Sequence, residues 1–182
     1  MEIIETPIPD LLIIRPKVFE DARGYFYETY NEKSFMEAGL DIHFCQDNQS
    51  KSVYGVIRGL HYQLSPCSQC KLVSAIQGTV WDVAVDLRAS SPTFGKWFGI
   101  ELSAENHLQF LIPKGFAHGF SVLTETAIFA YKCDAFYNPS LERGILYNDP
   151  QLAIDWKIPE DKAIVSAKDA KHPIFSKAEK NF

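Results

Sequence analysis

The chain has 182 residues, 46% of them hydrophobic, and a formal net charge of −5. That length suffices for one well-buried core and is short for two, so a single domain over residues 1–182 is expected. Its basic residues are scattered, which excludes the basic stripe of a nucleic-acid binder and a polybasic membrane patch. No apolar run approaches the roughly 18 residues that would span a bilayer, and no charged start leads into a signal segment. Neither nucleic acid nor membrane is expected as a partner; a small molecule and a cytoplasmic location are.

Short segments rich in β-branched and aromatic residues recur between Gly, Pro, Asn and Ser turns. In chain order they predict strands over Leu11–Val18 and Tyr25–Tyr30, then a short helix over Glu32–Ala38. Asn31 is its N-cap and Gly39 takes the left-handed position after its end. Further strands follow over Gly59–Leu64, Lys71–Gln77 and Thr79–Leu87, then Phe98–Leu102, His107–Ile112, Phe116–Val122 and Thr126–Cys133. So many short strands suit an all-β jelly-roll barrel with short peripheral helices. Its core is expected over about residues 11–135. A tail from about 150 to 182, anchored by Trp156 and Phe175, drapes over it and ends in a short helix.

Four cysteines include the pair Cys67 and Cys70. A structural zinc needs four ligands and no second pair follows, while Ser65 and Pro66 mark a loop rather than the strand-to-helix turn of a redox motif. They read as spare thiols in a reducing compartment.

Period-two geometry places His61 and Gln63 on one strand face and Leu60, Tyr62 and Leu64 on the other, so the polar pair looks either into a cavity, which fits better, or into water from an edge strand. Gly59 beside them allows a bulge or a close backbone approach. In the strand from Thr79, Trp81, Val83, Val85 and Leu87 share one face, and Val80, Asp82, Ala84 and Asp86 the other. The run Ile112-Pro-Lys-Gly-Phe-Ala-His118-Gly-Phe resembles the second cupin motif. Gly55, His61, Gln63, Lys71 and Gly78 are spaced like the first, with Lys71 where a metal ligand belongs. A protonated lysine has only donors and repels a cation, so no metal is expected. A cavity holding His, Lys and Tyr can instead move a proton from a carbon next to a carbonyl. His61 can act as base, Lys71 can stabilise the enolate oxygen, and Tyr131 can reprotonate from the other face.

Eight ordered stretches make the resemblance specific. They are Asp21-Ala-Arg-Gly-Tyr-Phe, Gln46-Asp-Asn-Gln-Ser, Ile57-Arg-Gly-Leu-His-Tyr-Gln, Lys71-Leu-Val, Trp81-Asp-Val-Ala-Val-Asp-Leu-Arg, Ser91-Pro-Thr-Phe-Gly, the Ile112 to Phe120 run, and Tyr131-Lys-Cys. On these the chain resembles the dTDP-4-dehydrorhamnose 3,5-epimerases, a cupin-like family of dimeric jelly rolls, over almost its whole length. The resemblance implies epimerisation of dTDP-4-keto-6-deoxy-D-glucose at C3 and C5 without a cofactor, on a homodimer. It puts the base on His61, the proton donor on Tyr131, the oxyanion-stabilising lysine on Lys71, and the carboxylate orienting His61 on Asp169, with Asp82 a second candidate. Contacts to the dTDP-linked keto-deoxysugar fall on Arg23, Glu28, Gln46, Asn48, Arg58, His118, Glu142 and Lys168, with Tyr137 stacking on thymine. Two departures from the family pattern are Cys70, where a smaller residue is usual, and Ser74, where Arg is. A mono-epimerase of the same fold and a non-catalytic nucleotide-sugar-binding cupin remain alternatives.

Overall fold

A computed structural model describes residues 1–182. Strand β1 (Glu2–Glu5) pairs antiparallel with β2 (Leu12–Arg15), which stops short of the expected Val18 because Pro16 has no amide to give the ladder. β3 (Phe19–Asp21) and β4 (Gly24–Phe26) form a hairpin of their own, apart from the main sheets; the strand expected to reach Tyr30 ends at Phe26. Helix α1 (Glu32–Glu37) starts where Asn31 Oδ1 accepts from the Ser34 amide, and Gly39 behind it has φ +83°.

The remaining strands are β5 (Gln46–Val53), β6 (Val56–Gln63), β7 (Lys71–Gln77) and β8 (Thr79–Asp86). They continue with β9 (Trp97–Ser103), β10 (Gln109–Ile112), β11 (Phe116–Val122) and β12 (Thr126–Cys133). The short β13 (Glu142–Gly144) and β14 (Ile164–Val165) follow. The tail ends in a single 3-10 turn over Phe175–Lys177.

One sheet runs β1-β2-β10-β7-β12-β5 and the other β13-β6-β11-β8-β9, with β14 added parallel to β6. Their facing sides enclose a core around Phe110, Phe116, Phe120 and Phe129, completing the cupin-like jelly roll. Each such ring removed from water contributes about 1.5–3 kcal/mol. The outer faces are covered too. α1 and the segment after it bring Phe35, Leu40 and Ile42 onto one sheet, while the tail lays Leu152, Trp156 and Phe175 on the other.

Double covering explains why β8 is apolar on both sides. Val80 and Ala84 enter the inter-sheet core, whereas Val83, Val85 and Leu87 meet the tail, as the period-two reading requires. β5 is the strand that apolar patterning misses. Gln46, Asn48, Ser50 and Ser52 face inward and are partly or fully buried, yet they are polar because the first three wall a cavity rather than a core and Ser52 accepts from Arg58 Nε. It pairs with β12 along its whole length, from Gln46 opposite Cys133 to Val53 opposite Thr126.

Candidate active site

The cavity opens between the two sheets, and a bulge in β6 aims its polar residues into it. His61 pairs with His118 and Arg58 with Phe120, so three steps on β6 oppose two on β11. The extra residue lets Arg58 and His61, three apart, both line the cavity while Leu60 between them lies in the outer cluster. Gly59 makes this possible. Its φ of +132° lies outside the range of other residues, and a Cβ there would come within 2.6 Å of the Gly119 Cα.

His61 Nε2 lies 2.9 Å from Asp169 Oδ1, and the other carboxylate oxygen accepts from the Gly59 amide at 3.3 Å. Burial acts to raise the Asp169 pKa, but the hydrogen bond and charge of His61, with the Gly59 amide and Ser166, outweigh it and hold the carboxyl at about 2. An ionised Asp169 fixes the imidazole with its proton on Nε2 and leaves Nδ1 as the basic nitrogen. Asp82, the alternative partner, is engaged elsewhere: both its oxygens lie 3.0 Å from Nε2 of His118. Burial pushes Asp82 up and His118 down, each opposed by the other's charge.

Lys71 and Tyr131 come from β7 and β12 of the opposite sheet and line the same cavity, with the Lys71 ammonium 5.8 Å from the Tyr131 ring centre. Burial lowers the Lys71 pKa against the attraction of Cys133, Asp82 and Glu142. It raises that of Tyr131, with Cys133 and Glu142 adding to the rise and Arg58 opposing it. The tyrosine therefore holds its proton firmly, as a donor should. Cys70 packs into the outer cluster beneath α1, on the far side of β7 from Lys71, and burial raises its pKa to about 12. It is an inert thiol that leaves the amine's side of the strand untouched.

Asn48, Arg58, His118 and Lys168 line the same space, of about 560 Å³. Gln46, Tyr137 and Glu142 line an adjoining lobe of about 310 Å³ that shares Asn48, His61, Lys71 and Tyr131. Glu142 accepts from the Tyr137 hydroxyl at 2.9 Å and from the Lys168 ammonium. Burial works to raise its pKa, but these two partners hold it below the usual range. Ser74 lies in a neighbouring depression with Tyr27, Gln109 and Tyr131.

Two expected residues are not brought to the cavity. Arg23 sits on the exposed hairpin, pairing with Asp21, and Glu28 accepts from Asn31 Nδ2 at 3.0 Å, so within one chain neither reaches His61's surroundings. Of two others, the sequence places Gln63 on the cavity side of its strand without giving it a role, and it gives no sign of His172. Gln63 is buried and takes the Asn138 amide at 2.6 Å while donating to the carbonyls of Cys67 and Phe136, which pins the loop carrying Tyr137. His172 stands beside the His61 and Asp169 pair, with ring centroids 5.6 Å apart and an interplanar angle of 80° to His61. A lone His in a loose tail carries no periodicity that would mark it.

The positions that hold metal in cupins do not fit one here. Gln63 is spent on the loop, His118 on Asp82, and Lys71 brings a buried cation. What the arrangement can do is abstract a proton from one side of a bound molecule, stabilise an oxyanion and return a proton from the other side.

The sequence model of a family described as dTDP-4-dehydrorhamnose 3,5-epimerase matches residues 5–177. A Shigella flexneri protein of that name is 56% identical over 170 residues, covering 93% of each chain. The crystal structure of the Elizabethkingia anophelis enzyme of that name superposes with a TM-score of 0.93 at 61% identity, covering 97% of both chains. The Legionella pneumophila dTDP-6-deoxy-D-glucose-3,5-epimerase, solved with dTDP-4-keto-L-rhamnose, has a TM-score of 0.92 at 53% identity, covering 97% of this chain and 93% of its own.

Proposed function

The chain belongs to the dTDP-4-dehydrorhamnose 3,5-epimerase family, and from that premise we propose that His61, Lys71 and Tyr131 convert dTDP-4-keto-6-deoxy-D-glucose to dTDP-4-keto-L-rhamnose. The enzyme is an isomerase that inverts C3 and C5. One observation carries the assignment: a histidine held by a buried carboxylate on one sheet faces a lysine and a tyrosine on the other across a shared cavity.

The C4 ketone acidifies the hydrogens on both neighbouring carbons. Nδ1 of His61 removes one, and the electron pair moves onto the C4 oxygen, where the Lys71 ammonium meets the developing charge. The Tyr131 hydroxyl then delivers a proton to the opposite face of the carbon, which inverts it, and the sequence repeats at the second carbon. His61 and the phenolate regain their starting states by exchange with solvent at the cavity mouth. Arg58 and Lys168 supply positive charge for the diphosphate, the guanidinium with a fork that can hold two oxygens at once. Tyr137, exposed and tied to Glu142, offers its ring face to the thymine.

A homodimer in the cytoplasm belongs to the same reading. The hairpin exposes Phe19, Tyr25 and Phe26, an apolar surface that a second copy of the chain would cover, and it carries Arg23. Glu28 follows just behind it in the chain. Docked on a neighbour, both residues would reach a sugar nucleotide that they cannot reach in their own chain.

Proton NMR of dTDP-4-keto-6-deoxy-D-glucose in D₂O with the enzyme tests the reading. Loss of both the C3 and C5 proton signals with appearance of the rhamno form is expected. Loss at one carbon alone would make the chain a mono-epimerase, and binding without loss at either would remove the catalytic assignment.

A further inference from the structure

We infer that His61, Asp169 and His172 form a binding site for a borderline divalent cation of the zinc type, and that its occupancy switches off His61 as a base. The second half of this inference rests on the assignment of His61 as the general base. One ligand atom from each of His61, Asp169 and His172, a ring nitrogen or a carboxylate oxygen, lies within 4.8 Å of the other two. Two of the separations are 2.9 Å, His61 to Asp169, and 3.5 Å, His172 to Asp169. Zinc bonds of 2.0–2.1 Å at tetrahedral angles separate neighbouring ligand atoms by about 3.3 Å, so small side-chain rotations bring the three to coordinating distance.

An independent observation points the same way. Nε2 of His172 is buried and has no hydrogen-bond partner, although it faces Asp169. An orphaned buried imidazole nitrogen is costly unless something occupies it. The ring cannot easily withdraw, because it fills the space over Gly144, where any side chain would collide with it. His61 is partly open to the cavity, which offers an entry path and room for water as a fourth ligand. The flanking charges are Glu142 and Lys168, already paired with each other, His118, paired with Asp82, and the Lys71 ammonium, which lines the same cavity from the opposite sheet and opposes a cation that the Asp169 carboxylate attracts.

Inhibition follows from the tautomer. A metal on Nε2 needs that nitrogen unprotonated, so the remaining ring proton moves to Nδ1, the atom that must accept the substrate's proton. Occupancy would lower kcat while leaving dTDP affinity unaltered, since Arg58 and Lys168 are untouched. Mg²⁺, which prefers oxygen ligands, would have no effect.

Calorimetric titration of the chelator-treated enzyme with ZnCl₂, paired with the D₂O wash-out assay, tests this. One equivalent per chain and loss of wash-out are expected for the unaltered enzyme. In His172→Gln and His172→Asn, metal-free wash-out should continue, with zinc affinity at least tenfold weaker. Cobalt substitution gives a readout free of variants: a tetrahedral d–d spectrum without a thiolate charge-transfer band excludes Cys45 and Cys67 as ligands. Equal zinc affinity in both variants, or a thiolate band, would overturn the site and leave the base assignment standing. Zinc held through His172 with undiminished wash-out would overturn the switch and the role of His61 together.

Discussion

At His61 the division of labour within one ring decides the chemistry. Asp169 occupies Nε2, which leaves Nδ1 alone for the proposed proton abstraction, and removal of the imidazole should stop exchange at both carbons. His61→Asn is expected to show no wash-out while dTDP binds within a few-fold of normal affinity in calorimetry. Tyr131→Phe should behave differently: wash-out persists, because the base and the lysine remain, but net inversion slows roughly 10²-fold, in the usual range for a lost acid. Complete loss of C3 wash-out in that variant would show that Tyr131 does something other than donate. Asp169 also leaves a mark on stability. Its carboxyl, held at about 2 against an ordinary 3.8, stabilises the fold above about pH 4, and that contribution fades as pH falls toward 2. Asp169→Asn should therefore cost roughly 2 kcal/mol at pH 7, a gap that shrinks on acidification below pH 4 in urea unfolding curves.

Among the elements, β6 carries the most consequence, since its bulge sets both Arg58 and His61 toward the cavity. Gly59→Ala forces a Cβ into the backbone of β11 at a φ that alanine avoids, at a cost of order 1–3 kcal/mol from the strained backbone alone. The expected result is a lower Tm together with a fall in kcat, because re-registering the bulge turns His61 away from Asp169. A variant as stable and active as the parent would show that the bulge is tolerant. β5 shows why an active-site strand is hard to recognise. Its inward residues are polar and line a cavity, so the apolar run that betrays β8 is missing.

For the whole molecule, the hairpin of β3 and β4 is the part that makes no sense in isolation, with three exposed aromatics and an arginine away from the site. Sedimentation of the protein at micromolar concentration should give twice the chain mass, and Phe26→Asp should shift it toward the monomer and weaken substrate binding. A monomeric parent with full activity would reject the dimer and the contribution of Arg23 and Glu28.

The local sequence determined what depends on short-range geometry. Period two separates the faces of β8 and places His61 opposite Leu60 and Tyr62; Asn31 and Gly39 bound α1; and the ordered stretches from Asp21 to Tyr131 carry the family. Only the tertiary structure decided which carboxylate holds His61. Asp169 and Asp82 are both buried acids, one in a tail and one on a strand, and nothing in residue spacing says which imidazole each will meet. The same holds for His172, whose place beside that pair follows from the tail folding back across β6 and β13. Contacts between segments about a hundred residues apart are set by how the sheets and the tail stack on one another, and that information belongs to the packed core as a whole.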